Sequence, residues 1–200
     1  MKYFGIGFNK TGTTTLKECF RILGLLPHAD YITSKHLIGD FVNNDFSKIH
    51  PFINNYTSFQ DAPWSYLSID DIKTIDILFT NSKFILTIRD SESWFMSLLK
   101  WYTNSVRFGI DLKDKVYTPY SKVLGMSQKL HMTRKNFLEQ KNDIIKNYEK
   151  RNEEIIKYSK NKENFLVIDI FNNNNNWDIL CNFLDQPVPN VKFPHKNKTK

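Results

Sequence analysis

Gly7 and Gly12 enclose four residues in the stretch GFNKTGTTTLKECF, and Thr13, Thr14 and Thr15 follow at once. The run KYFGIGF before them is short, apolar and aromatic, as a buried strand is. Thr13 to Leu23 reads as a helix with Leu16, Phe20 and Leu23 on one stripe and Gly24 as its stop. A strand, a glycine loop and a helix start make an anion site from backbone alone. Unpaired N–H groups converge there and the helix dipole adds about half a positive charge. The glycines allow close backbone approach to the anion, and the threonine hydroxyls add donors.

A nucleoside-triphosphatase loop of this length needs lysine at position 13 and serine or threonine at 14, the latter to hold Mg²⁺. Position 13 is threonine, and the lysine is Lys10, inside the loop. ATP or GTP hydrolysis would lack its usual β/γ-phosphate contact. Lys10 reaches a loop-held group from the side, which suits an anion whose bridging oxygen gathers charge as a bond breaks. The bland alternative is a tight turn before a threonine-rich helix.

A second candidate anion site lies in TIRDSESWFMS. Arg89 ends the clearest strand of the chain, KFILTIRD, and Ser97 follows eight residues later on the next helix. Arginine offers a planar fork to phosphate oxygens, and a serine hydroxyl one or two turns into the helix can donate from the same side. Taken singly, Arg89 could pair with Asp90 or Glu92, and Ser97 could be an ordinary helix residue.

NKTGTTTL resembles the 5′-phosphosulfate loop of sulfotransferases that use PAPS (3′-phosphoadenosine 5′-phosphosulfate), where the loop runs Lys-Ser/Thr-Gly-Thr-Thr. TIRDSESWFMS is similar to that family's strand-end arginine and helical serine. SFQDAPW and WDILCNFLDQPVPNVKFPHKN look like a compact branch with Asp-x-Pro before this strand and a matching C-terminal helix and tail. The resemblance covers the first quarter, 57–102 and the last forty residues. It implies an α/β fold, P-loop-like, in three α/β/α layers around a mainly parallel central sheet. It also implies PAPS as donor and the bisphosphate as product, without a metal. Lys10, Thr11, Gly12, Thr13, Thr14 and Thr15 would hold the phosphosulfate, and Arg89 and Ser97 the 3′-phosphate. The Arg-Lys-Gly triplet with which cytosolic members close over that phosphate is not in this chain. Lys192, Lys196 and Lys198 of the tail could substitute, or the cofactor could be held less tightly.

Sulfuryl transfer needs charge neutralised on the leaving oxygen, an aligned acceptor and a base for its proton. Lys10 is assigned the first task. Asp61, ending the expected strand YTSFQD, is the first candidate base, with helix capping as its structural alternative. His28, after LGLLP, is the second, against an ordinary structural histidine. His36, His50 and His131 have no context to recommend them, and His195 would approach only if the tail folds back. Asp169, ending NFLVIDI, could pass for the metal-holding strand end of a nucleotide or small-molecule kinase. A catalytically silent module that binds nucleotide or polyanion through basic surface is the non-enzymatic rival.

These residues need positioning elements. Besides the first strand and helix, the patterns predict strands at 56–61, 83–90 and 164–170, and helices at 66–80, after Asp90 or Ser91, over 126–159 and over 177–184. Asn172 to Asn176 reads as a loop. Strands alternating with helices predict a mainly parallel sheet in one domain of 200 residues, with 103–160 as a helical acceptor-side region. The net charge of +7 suits an anionic partner without choosing one. The 14% of aromatic residues fall at core spacings, so nucleic acid is not expected. Cys19 and Cys181 have neither disulfide nor metal spacing. No run approaches the length that spans a bilayer, and the opening does not read as a secretory leader, so a cytoplasmic location is expected. The acceptor is expected to be a small molecule or glycan.

Overall fold

The computed structural model describes residues 1–107, 134–172, 174 and 176–195. They fall into two compact units, Met1–Ile88 with Ser159–Lys200, and Arg89–Tyr158. The first unit is built on strands β1 (Lys2–Gly5), β2 (His28–Ala29), β3 (Ser58–Phe59), β4 (Ser82–Thr87) and β5 (Phe165–Ile168). They form one sheet in the order β2-β3-β1-β4-β5, with every pairing parallel. The registers Tyr3↔Ser58 and Phe4↔Phe84 put alternate side chains of the central strands on opposite faces.

On one face, helices α1 (Thr13–Ile22) and, later in the chain, Asn176–Leu184 bury Leu16, Cys19, Phe20, Trp177, Leu180 and Leu184 against Tyr3, Ile85 and Ile168. On the other, Phe4 stacks on Phe59 at 4.4 Å and Phe84 at 5.2 Å, and Trp64 covers them. Trp64 in turn meets Phe41 and Phe52, which bring in α3 (Ile38–Val42) and α4 (Phe46–Asn54) after the short α2 (Tyr31–Ser34). The unit is thus an α/β/α arrangement with a covered parallel sheet. Its central strands are apolar on both faces for that reason. Cys19 and Cys181 are free thiols buried in this core.

Several expected elements are shorter than their sequence pattern. The strand expected over 56–61 is Ser58–Phe59 alone, because Gln60 and Asp61 turn into a 3₁₀ segment at Trp64–Tyr66. The helix expected over 66–80 is α5, Ile69–Leu78, starting where Ser68 and Asp71 form a capping box. β2 leaves no mark in the sequence, since two residues carry no periodicity. The short helices between 31 and 54 are likewise additions to the pattern.

The second unit contains α6 (Ser91–Arg107), α7 (Arg134–Glu139) and nearly all of α8 (Lys141–Ser159). Asp90 starts α6, its side chain accepting from the Ser93 N–H at 2.8 Å and its carbonyl from Trp94. Trp94 stacks on Tyr148 at 4.0 Å, and Phe95 meets Phe137 at 5.3 Å. The segment 108–133, including His131 and much of the expected acceptor-side region, lies outside the described residues, as do Lys196 and Lys198. The remaining helix of the first unit, Asn176–Leu184, is α9.

Candidate active site

In an all-parallel sheet every carboxyl end lies on one edge. Successive connections from β1 and β3 go to opposite sides, so the order reverses between β1 and β4, where ligands of such sheets bind. The glycine loop stands at that point. Its contact with β4 is so close that a Cβ on Gly7 would lie 2.0 Å from Thr87 Oγ1 and 2.4 Å from the Thr87 carbonyl. Gly12 has φ +104° and faces Ile170 beyond β5, whose Cδ1 would be 2.1 Å from an added Cβ. Both glycines therefore serve loop packing.

Thr11 locks the loop. It is fully buried, its hydroxyl meets Thr87 Oγ1 at 2.7 Å and the Phe8 carbonyl, and its N–H donates to the same carbonyl at 3.2 Å. The family resemblance puts Thr11 on the phosphosulfate; its polar groups point instead into the loop's own scaffold. Lys10 has φ 71°, a left-handed conformation that is uncommon outside glycine, and is half-buried. Thr13 and Thr15 are buried and Thr14 is exposed. Gly12 is the N-cap of α1, and the first turn of this helix carries no acidic residue. That start presents positive potential to the edge of the sheet.

The neighbouring strand ends add charge. Asp30, just past β2, accepts from Lys17 of α1 at 2.6 Å and from the Ile32 and Thr33 N–H groups. Burial opposes its ionisation, yet Lys17 and these amides hold its carboxyl below the usual range. Asp61, just past β3, has φ 65°, and its Oδ1 accepts from the Ala62 N–H at 3.0 Å. Burial raises the Asp61 carboxyl, the Ala62 N–H opposes this, Asp30 adds to it, and Lys17 and Lys10 pull the other way. Lys10, Lys17, Asp30 and Asp61 therefore form one interacting group. Lys17 and Asp30 carry no sequence signal of a site, because their place in it follows from β2.

His28 lies in β2 under α1. The Ser58 hydroxyl donates to the Leu25 carbonyl at 2.7 Å, so the His28 Nδ1–H donates to Ser58 Oγ at 2.8 Å. Burial lowers the imidazole to about 4, Lys17 adding to the effect and Asp30 opposing it. The ring is neutral and packs beside Phe20. Asp169 accepts from the Phe171 N–H at 2.9 Å and from Asn172 Nδ2 at 2.6 Å, closing the turn after β5. His36 lies edge-on to Phe52, and His50 stacks on Phe79.

In the second unit, Arg89 stands two residues past the end of β4. Its N–H donates to Tyr148 Oη at 3.0 Å and its carbonyl accepts from the same hydroxyl at 2.9 Å. The Trp94 stack holds Tyr148, so α6 and α8 together fix the backbone of Arg89. In the sequence Tyr148 is only a member of an apolar helix face. Ser97 is half-buried on α6, one turn beyond Ser93. Among the described residues no group of three or more His, Cys, Asp or Glu is placed to hold a metal, and no helix is long and apolar enough to cross a membrane.

A parallel sheet with a glycine loop at its switch point defines an α/β protein of the P-loop-like kind. The family model described as sulfotransferase domain matches residues 2–200, and the chain belongs to that family. It is a transferase of sulfuryl groups. No curated protein matches the chain.

Proposed function

We propose that this chain moves a sulfuryl group from PAPS to a hydroxyl or amine of a small-molecule or glycan acceptor. The observation that carries the reading is the loop at the end of β1. It leads into a helix whose N-cap is Gly12 and whose first turn has no acid, with Lys10 inside the loop and threonine at position 13. That donor set fits a phosphosulfate.

The loop amides with Thr13, Thr14 and Thr15 hold the phosphosulfate, Thr11 and Gly12 shape the loop around it, and Arg89 and Ser97 take the 3′-phosphate. When bound, the donor supplies an electrophilic sulfur and a bisphosphate leaving group. Asp61 accepts the proton of the acceptor as its oxygen or nitrogen bonds to sulfur and the sulfur–oxygen bond to the bisphosphate breaks. Lys10 compensates the charge that gathers on the leaving oxygen. A raised Asp61 carboxyl is the stronger base for it, provided the pH keeps it ionised. His28 is the weaker candidate because its imidazole is lowered to about 4. We assign 103–160 to the acceptor side.

Calorimetry tests the donor. Adenosine 3′,5′-bisphosphate should bind without Mg²⁺ and more tightly than ATP, and Arg89→Ala should weaken it about 10- to 100-fold, as loss of a charged phosphate contact does. A preference for Mg·ATP would overturn the reading in favour of a kinase. Binding of polyanions without turnover of any acceptor would favour a silent module.

A further inference from the structure

Three elements converge on Gln60, the residue between β3 and Asp61. Its N–H donates to the Ala29 carbonyl at 3.1 Å, which sets Asp30 beside it at the end of β2. A Cβ on Gly5 would lie 2.7 Å from Leu16 Cδ2 and 3.1 Å from the Gln60 Cβ, so α1 crosses the sheet at the same point. Lys17 follows Leu16 on α1, and Asp61 follows Gln60. The chain path thus brings one ammonium to two carboxylates.

The ammonium is seated on Asp30. Lys17 Nζ meets Asp30 Oδ2 at 2.6 Å, and Asp30 Oδ1 accepts from the Ile32 and Thr33 N–H groups at 3.0 and 3.4 Å. The Asp30 N–H donates to the Thr33 hydroxyl at 2.9 Å, completing a capping box at the start of α2. Both oxygens of Asp30 are therefore engaged and its place is fixed. Asp61 Oδ1 takes a neutral donor instead, the Ala62 N–H at 3.0 Å. The charged groups that act on Asp61 are Lys10 of the loop, Lys17 of α1 and Asp30 after β2. His28, on the same strand as Asp30, is neutral, and Tyr66 in the 3₁₀ turn after Asp61 lies against Phe8.

We propose that Asp30 is a positioning residue of the transfer reaction, holding Lys17 off Asp61 so that Asp61 receives the proton of the acceptor. An ammonium seated on Asp61 would weaken the base and cover the oxygen that the proton must reach. Two carboxylates sharing one cation thereby take different tasks: Asp30 carries the cation and Asp61 the proton. Burial and Asp30 favour the protonated form of Asp61, while Lys17 and Lys10 favour the charged form. The inference rests on the reading of Asp61 as the base.

The test follows Asp61 directly, by carboxyl ¹³C NMR titration of aspartate-labelled protein, its signal assigned from Asp61→Asn. Asp30→Asn keeps an oxygen for the Ile32 and Thr33 amides, so the cap of α2 survives, but it loses the charge that holds Lys17. Asp61 should then titrate about one pH unit lower, as a carboxylate that gains a cation does. Lys17→Met should move it higher, and the double variant should return it close to wild type. The Lys17 side chain is 45% exposed, so Lys17→Met should fold whatever Asp30→Asn does. The acid limb of kcat, read as bisphosphate release from PAPS with phenol as the probe acceptor, should shift in the same order. At pH 7 Asp30→Asn should lower kcat about 3- to 10-fold with the KM for PAPS unchanged, because the base is weaker. Single variants that leave Asp61 in place, or move it in the same direction, overturn the inference while a slow Asp61→Asn keeps the base reading standing. Opposite shifts of Asp61 with no change in the rate profile overturn it too. Turnover by Asp61→Asn equal to wild type defeats the base reading, and the inference with it.

Discussion

Asp61 carries the sharpest residue-level consequence of the site. Burial raises its carboxyl above the ordinary 3.8, the strongest opposing influence being the Ala62 N–H. A base with a raised pKa loses activity as pH falls through that value, so kcat should show an acid limb above the usual aspartate range. Asp61→Asn should remove the limb and lower kcat about 10²- to 10⁴-fold. For stability the sign is reversed. A raised carboxyl favours the folded state below its unfolded pKa and loses that contribution as pH rises through the folded value. At pH 7 the variant should therefore melt at or above wild type, and scanning calorimetry beside the kinetics would reveal a fall instead. His28 behaves oppositely. Its folded value of about 4 lies below the ordinary 6.5, so its contribution is complete above 6.5 and is lost as pH falls toward 4. Urea unfolding at pH 7 and 4.5 should show a loss on the order of 2 kcal/mol that His28→Gln largely abolishes. Asp61 is readable in the sequence as a strand-end acid. The character of His28 is not, because Ser58 and Leu25 reach it only through strand pairing.

At the scale of elements, the loop works because it is wedged between strand ends. Gly7→Ala would force a Cβ to within 2.0 Å of Thr87 Oγ1, with the Thr87 backbone close behind. Backbone cannot step aside as a flexible side chain does, so the variant should lose about 1–3 kcal/mol in chemical denaturation and bind bisphosphate poorly. A fully stable variant would show that the loop moves freely. The glycine spacing is plain in the sequence, but its contact with β4 is not, because Thr87 is distant along the chain. The Tyr148 phenol on both backbone groups of Arg89 is a comparable case. Its position on an apolar helix face predicts burial and gives no hint of the hydroxyl's two bonds.

For the whole chain, the first unit joins residues before Ile88 to those after Ser159. A protein cut after Tyr158 lacks Ile168, Ile170, Trp177, Leu180 and Leu184, all buried beside Leu16 and Phe20. Each fully buried side chain of this kind contributes about 1.5–3 kcal/mol, and together they rival a typical net stability of about 5–15 kcal/mol. The truncated chain should lose near-ultraviolet circular dichroism and cooperative melting. Native spectra after that cut would show that the first 88 residues hold the sheet without β5 and α9.

What the residue order determined alone was local: a strand turning through glycines into a helix, the period of each long element, and the family signature of the loop. Backbone chemistry and apolar spacing act over a few neighbours, so they can be read along the chain. Tertiary structure decided the rest: the pairing of two-residue β2 with β3, the lock between Thr11 and Thr87, the ionisation of Asp61 and His28, and the meeting of the tail's His195 with Phe171. Each depends on burial or contact between groups far apart in sequence, and only the assembled sheet brings such groups together.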